Sequence, residues 1–427
     1  MKLLETKIEQ RISNLCQEIT EIYAKHPQQP IDTITIKHVL GGMRGMKAMV
    51  CNTSYVDPYE GLFISGYSVP QFEDKTPEEI FFLLCTGTFP SLEEQQELHQ
   101  ELQQRSEVPS YIWNLLRSMP STTHPMTLFS MGILAMEELS VFKQKYLEGA
   151  PKSDYWKYSL EDALNLIAKL PALAAGVYKI LFMNGEFAHN NLNLDLAGKF
   201  THLLGVNNKD VSFPDLLRLY LVLHCDHEGG NVSAFTARVV NSALSNLYYS
   251  ASAGLNGLAG PLHGLANQTC LHFINSIHEQ LGLDASLNDI SSFVQRTLNS
   301  GQVIPGYGHA VLRETDPRFT SFMKFGDAYC SDSPYFKTVK KLYAVTPQIL
   351  KKFKGGKISN PWPNVDAISG SLLYHYGITH FDFYTVLFGF SRILGFCAQN
   401  IMARGLNQPI IRTKSITNEQ LKELVNK

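Results

Sequence analysis

From Thr76 onward the sequence reads as helix almost without relief, and this restricts the possible folds more than any other feature. Apolar residues recurring at three- and four-residue spacings share one helical face, which another helix must cover. Thr76-Pro77-Glu78-Glu79 opens the run with a cap residue, a proline at the first helical position and early acids, all helix-start signals. Before it, Leu4, Ile8, Ile12, Leu15, Ile19 and Ile22 form a narrow stripe on an amphipathic helix that could dock on the body or on a partner subunit. Only residues 41–72, rich in Gly, Tyr, Pro and β-branched side chains, read as short strands and turns. The expected class is therefore all-α, mainly helical with minor β near residues 50–70.

The chain has 427 residues and 44% hydrophobic content, enough for two or three domains around a large core. No internal repeat or long linker separates them, so the domains are expected to be interleaved. Between Asn231 and Gly260 the residues are unusually small, as expected of one tightly packed central helix or a subunit interface. The formal net charge of -2 gives no bulk attraction to nucleic acid or to an acidic membrane surface. Leu216–Leu223, interrupted by Arg218, falls far short of a membrane span, so a soluble protein is expected. Seven scattered cysteines without a C-x-x-C pair read as reduced thiols. The N-terminus has early acids and no sustained apolar region, so it reads as mature sequence. The expected compartment is the cytoplasm, with the mitochondrial matrix after presequence removal as the alternative.

Chemistry concentrates in three helix-breaking loops. Gly260-Pro261-Leu262-His263-Gly264 and Pro305-Gly306-Tyr307-Gly308-His309 each display a histidine, and Pro363-Asn364-Val365-Asp366-Ala367 displays a carboxylate. Two imidazoles and a carboxylate so placed can move protons at neutral pH. Arg313, Arg318, Arg392 and Arg412 supply planar forks suited to a small polycarboxylate. Competing readings are weaker. His224 and His227 sit three apart, as on one helical face, but no H-E-x-x-H and no third ligand at fixed spacing marks a metal site. Cys225 beside them lacks the arrangement that thiol catalysis needs, and Gly306-Tyr307-Gly308 lacks the third glycine of a phosphate loop. Lysines 337, 340, 341, 351, 352, 354 and 357 read as a solvated helical surface before a Gly355-Gly356 turn, with a phosphate-bearing ligand as the alternative.

Six blocks then carry a specific resemblance: Gly41-Gly42-Met43-Arg44-Gly45-Met46-Lys47; His224-Cys225-Asp226-His227-Glu228-Gly229-Gly230-Asn231-Val232-Ser233; Gly257 through Gln268; Pro305 through Arg313; Thr315-Asp316-Pro317-Arg318; and Asn360-Pro361-Trp362-Pro363-Asn364-Val365-Asp366-Ala367. Together, and nearly end to end, the chain resembles citrate synthases of the mitochondrial, eukaryotic type. The resemblance implies a helical homodimer whose small domain, residues 264–371, closes on a large domain formed by 1–263 and 372–427. It implies an acyltransferase that joins acetyl-CoA to oxaloacetate through an enol or enolate and hydrolyses citryl-CoA to citrate and CoA, with no cofactor and no metal. Matched residue by residue, Asp366 removes the methyl proton, His263 holds the thioester oxygen and His309 protonates the new alkoxide. His227, His309, Arg318 and Arg392 bind oxaloacetate, with Arg412 entering from the second subunit. Ser233 supports His263, and Arg313 and Lys152 are the CoA-binding candidates. Ile368 stands where the family commonly has a histidine, a departure bearing on acyl-pocket shape and pH response. A 2-methylcitrate synthase using propionyl-CoA shares these motifs, and a non-catalytic structural or filament protein on the same scaffold is the reading from a different class.

Overall fold

The computed structural model describes residues 2–183, 193–206, 210–353, 358 and 360–426. Two long apolar helices, Tyr155–Phe182 and Tyr384–Gly405, pack against each other at the centre and are buried over most of their length. Around them lie Pro77–Thr86, Pro125–Ala135, Leu196–Leu204, Phe213–His224, Val232–Ser242 and Leu247–Leu258. A second group, made of Ala266–Leu281, Leu287–Asn299, Pro317–Tyr329, Pro334–Lys352 and Asp366–His375, packs chiefly on itself. The all-α expectation holds. The helix expected at Thr76 begins there, with Thr76 Oγ1 accepting from Glu79 N and Pro77 in the first turn.

The β-structure is a three-stranded antiparallel meander, Ser54–Asp57, Gly61–Ile64 and Tyr67–Ser68, with Ser54 opposite Ile64 and Phe63 opposite Ser68. Gly61 has φ 89, and a Cβ there would come 2.5 Å from Pro317 Cδ, so the tight turn lets the meander abut the helix that carries Arg318.

Three expectations need correction. The small-residue stretch is two helices, broken at residues 243–246, where Leu244 takes φ 63 and Asn246 caps the second helix through Tyr249 N. Their small residues do serve close approach, since a Cβ on Gly254 would meet Phe396 at 2.7 Å and Ser233 O at 3.0 Å. The N-terminal stripe docks only in part: Leu4, Ile8 and Ile12 are buried while Ile19 and Ile22 are exposed. Nor do all apolar runs fall short of a membrane span. Pro125–Leu147, Lys152–Phe182 and Phe381–Gly405 are long and apolar enough, and 89% of the last window is buried inside the protein, which accounts for its apolarity as core. On the lysine-rich helix, Lys340 pairs with Asp327, Lys341 donates to Ala285 O and Lys351 lies over the Trp362 ring, while Lys354 and Lys357 lie outside the described residues.

Candidate active site

His263 sits in the turn between Leu247–Leu258 and Ala266–Leu281, facing the N-terminus of Val232–Ser242. Its Nε2 accepts from Ser233 N at 3.2 Å and lies 2.9 Å from Ser233 Oγ, which itself donates to Asn231 Oδ1. A ring nitrogen that accepts a backbone N–H carries no proton, so the neutral imidazole holds its proton on Nδ1. Burial, reinforced by Arg392, pulls this histidine down to about 4 and keeps it neutral.

His309 is held by the same device turned around. Its Nδ1 accepts from Val311 N at 3.1 Å and Leu312 N at 3.0 Å, which leaves the proton on Nε2. Burial, with Arg318 adding to it, pulls His309 to about 4 as well.

The His309 and Asp366 loops are laced together. Gly308 N donates to Trp362 O at 3.0 Å, Asn364 N to Gly306 O at 2.8 Å, and Asn364 Nδ2 to Gly308 O at 3.0 Å. Gly306 has φ 78, and a Cβ on it would lie 2.7 Å from Ala367 Cα, so only glycine lets the two loops approach. Asn364 Oδ1 then accepts from Asp366 N at 3.0 Å, at the start of Asp366–His375. Burial pushes the Asp366 carboxyl up to about 6 although Arg318 and Arg392 pull against it. Ile368, two residues on, is fully buried.

Between these loops lie two buried arginines. Arg318 gives Nε and Nη2 to the carboxylate of Asp316, at 3.1 Å to Oδ1 and 2.7 Å to Oδ2, which leaves Nη1 uncommitted to that partner. Burial works against both charges, yet the pair holds Arg318 above and Asp316 below their ordinary values. Arg392 donates Nε to His224 O at 2.9 Å and lies 4.8 Å from the Phe388 ring centre; no direct ion pair to it occurs among the described residues. Burial pulls it down to about 10, offset in part by Asp226. His227 stands with its ring 5.8 Å from that of His309, driven well below its usual range by burial and then by Arg318 and Arg392. Two buried guanidinium groups, three neutral imidazoles and two carboxylates, Asp366 and Asp316, share the site, and the guanidinium donors that Asp316 leaves free, with Arg392, suit a ligand bearing carboxylate groups.

The histidine pair read as a weak metal motif separates. Phe213–His224 ends at His224, whose ring stacks on Tyr220 with Nδ1 2.9 Å from Tyr220 O, while His227 turns toward His309. No cluster of three His, Cys, Asp or Glu side chains that could hold a metal occurs among the described residues. Arg313 is folded onto its own loop, with Nη1 donating to Val311 O and Leu312 O, while its N donates to Pro58 O beside the meander. Arg412 is exposed on the C-terminal arm, and Lys152 is exposed at the opposite end of Val232–Ser242 from His263, so one protomer brings neither to the cluster.

Residues 42–414 match the family described as "Citrate synthase, C-terminal domain". The chain belongs to the citrate synthase family. Citrate synthase 4, mitochondrial, of Arabidopsis thaliana is 44% identical over 428 residues, covering 98% of this chain and 90% of the relative. The mitochondrial citrate synthase of Saccharomyces cerevisiae is 43% identical over 434 residues, covering 99% and 90%. The crystal structure of citrate synthase from Pyrobaculum aerophilum superposes with TM-score 0.80 at 25% identity, covering 92% of this chain and all (100%) of that one. The chain is thus an acyltransferase whose reaction is citrate synthesis from acetyl-CoA and oxaloacetate.

Asp226 and Asp316 were not among the expected site residues of this citrate synthase. Asp226 is fully buried and accepts from Thr53 Oγ1 at 2.5 Å, Ser54 Oγ at 2.9 Å and Gln399 Nε2 at 2.8 Å, which ties the His227 loop to the meander and the central helix. Asp316 had a readable signal: an acid before Pro-Arg at a helix start caps the helix and meets the arginine two residues on. Asp226 had none, since its partners lie more than 170 residues away in sequence.

Proposed function

We propose that Asp366 is the base that removes a methyl proton from acetyl-CoA. The observation that carries this is its burial beside two arginines, which leaves a carboxylate near pH 6 instead of 4 and so a stronger base that is still ionised at neutral pH. A thioester α-proton is far less acidic than any carboxylic acid, so the step succeeds only if the developing oxygen charge is met as it forms. His263, with its proton on Nδ1, donates to that oxygen and steadies the enolate. The enolate carbon attacks the oxaloacetate ketone, and His309 delivers the Nε2 proton to the new alkoxide. Water then hydrolyses citryl-CoA in the same place.

Oxaloacetate is held between Arg318 and Arg392, with His227 and His309 on its keto acid end and Arg412 arriving from a second subunit. The homodimer is supported by what one protomer leaves uncovered: Ile31, Ile34, Leu40 and Val50 before the meander and Ile410 on the C-terminal arm are all more than half exposed. Residues 264–371 act as a small domain that closes on the large domain, 1–263 with 372–427. The separate packing of the second helix group supports that division. Closure would expel water and strengthen each charge interaction. Arg313 lies at the edge of that cleft as a CoA contact, and Lys152 can serve CoA only from the partner subunit. The mitochondrial names of the relatives favour the matrix over the cytoplasm that the N-terminus led us to expect.

The test is thiol release from acetyl-CoA with and without oxaloacetate, run beside propionyl-CoA. Oxaloacetate-dependent release, lost in Asp366→Ala and His263→Ala, is the expected result. No release from a folded protein refutes the assignment, and a higher kcat/KM for propionyl-CoA would make the enzyme a 2-methylcitrate synthase.

A further inference from the structure

The helix Pro77–Thr86 carries a buried carboxylate that the fold satisfies on one side only. Glu78 is 8% exposed; its Oε1 accepts from Leu196 N at 2.7 Å, at the start of Leu196–Leu204, while Oε2 is buried with no hydrogen-bond partner. An acceptor left unmet in the interior destabilises the protein, and a charged one does so more. Burial, and after it Asp195, pushes the Glu78 carboxyl up to about 8. Lys199, also buried, draws it the other way but makes no hydrogen bond to Oε2.

Glu78 borders a cavity of about 250 Å³ between Pro77–Thr86, Leu92–Gln104 and the start of Leu196–Leu204. Two further carboxylates, Glu79 and Asp195, and the imidazole of His99 line it, and no Lys or Arg does so among the described residues. Pro90 and Leu98 give it an apolar side. Glu79 accepts from Thr76 N and Gln95 Nε2, and Asp195 from Gly198 N and Arg218, so both are fixed in place while Glu78 keeps one oxygen unused. Neither Arg412, Lys152 nor the exposed apolar residues before the meander and on the C-terminal arm line this cavity, so the unmet oxygen lies apart from the surface offered to a second subunit.

We propose that this cavity binds a small aliphatic amine, its ammonium group donating to Glu78 Oε2 and its alkyl chain lying along Pro90 and Leu98, separately from the catalytic cluster. Three carboxylates without a lining ammonium or guanidinium set the sign of the ligand's charge. A metal ion fits less well, since no group of three His, Cys, Asp or Glu side chains able to hold one occurs among the described residues. A bare cation would also leave most of the space unfilled, because a cavity needs only roughly 10–15 Å³ to hold one water. An alkylammonium brings N–H donors for Oε2 and for the remaining lone pairs of Glu79 and Asp195, and methylene groups for the apolar side.

Calorimetric titration of butylamine into the whole enzyme tests the proposal, at pH 8.5 so that Glu78 is ionised, in phosphate buffer with ionic strength held by sodium chloride. One saturable amine per protomer is expected, with Tm rising as amine is added. Glu78→Gln keeps the side-chain shape and the acceptor for Leu196 N while removing the charge, and should weaken binding by about tenfold or more with thiol release unchanged. Gln96→Lys, at an exposed position on the same cavity, sets a tethered ammonium in competition without disturbing the core and should weaken binding likewise. Potassium chloride in place of butylamine should bind at least about tenfold more weakly, lacking both N–H donors and the chain. Absence of saturable binding, binding undiminished in either variant, potassium bound as tightly as butylamine, or butylamine displaced by oxaloacetate or CoA overturns the proposal.

Discussion

The two histidine loops solve one problem by opposite use of the same ring. His263 offers Nε2 to a helix N-terminus, at Ser233 N, while His309 offers Nδ1 to the backbone of its own loop, at Val311 N and Leu312 N. Both are thereby neutral, and each presents the other nitrogen, with its proton, to the site. Their anchorage differs as well. His263 rests on the helix group that surrounds the central pair, and the His309 loop is laced to the Asp366 loop in the second group. One face of the site is thus set by a helix end and the other by loop-to-loop backbone bonds, so each tautomer is fixed within its own helix group.

The largest effect expected from breaking this arrangement is at Asp366, the carboxylate proposed as the base between the two histidine loops. Asp366→Ala should lower kcat by about 10²–10⁴, measured as oxaloacetate-dependent thiol release. Asp366→Asn should be equally inactive but more heat-stable. The sign follows from linkage: a carboxyl raised to about 6 by burial is favoured by folding when protonated, so its contribution is present at low pH and is lost as pH rises through 6. An Asn variant with unchanged or lower Tm at pH 8 would contradict that burial cost.

Next in size is the cross-brace. Asn364→Ala removes the bond from Nδ2 to Gly308 O and the acceptor for Asp366 N, and should cost about 1–3 kcal/mol of stability together with much of kcat. Denaturant unfolding and turnover measured on one sample would check both. A variant that loses stability alone would show that the two loops are joined for folding and not for catalysis.

A finer cut separates the two sides. Ser233→Ala keeps the backbone N–H that His263 accepts, whereas Ser233→Pro removes it at a first-turn position where proline is tolerated. The proline variant should lose activity well beyond the alanine variant; equal losses would place the orienting role in the hydroxyl. Smallest is the pH response. The acid limb of kcat/KM should fall with an apparent pKa near 6, because Asp366 is protonated there while both histidines, at about 4, stay neutral. A limb near 4 would transfer control to the histidines.

The helical class, the start at Thr76 and the meander were legible because each is written in local residues: spacing, caps and turn formers. So were His263, His309 and Asp366, displayed by glycine and proline. The break at residues 243–246 was hidden because small residues run on both sides of it, and the position of the turn depends on Leu244 adopting a left-handed conformation that no local signal announces. Asp226 was hidden for a different reason. Its role arises only when the meander and the Tyr384–Gly405 helix arrive from opposite ends of the chain. The length of the apolar helices was underread: Arg218 breaks Leu216–Leu223, but Lys152–Phe182 and Phe381–Gly405 stay apolar for longer because burial on nearly all sides leaves them no polar face.

His263 and His309, proposed as catalytic, are neutral and carry their protons on opposite ring nitrogens. Nitrogen-15 NMR of histidine-labelled enzyme at pH 7, with His263→Gln and His309→Gln used for assignment, tests it directly. A protonated Nδ1 with bare Nε2 in His263, and the reverse in His309, is the predicted result. The same tautomer in both, or an imidazolium in either, would contradict it.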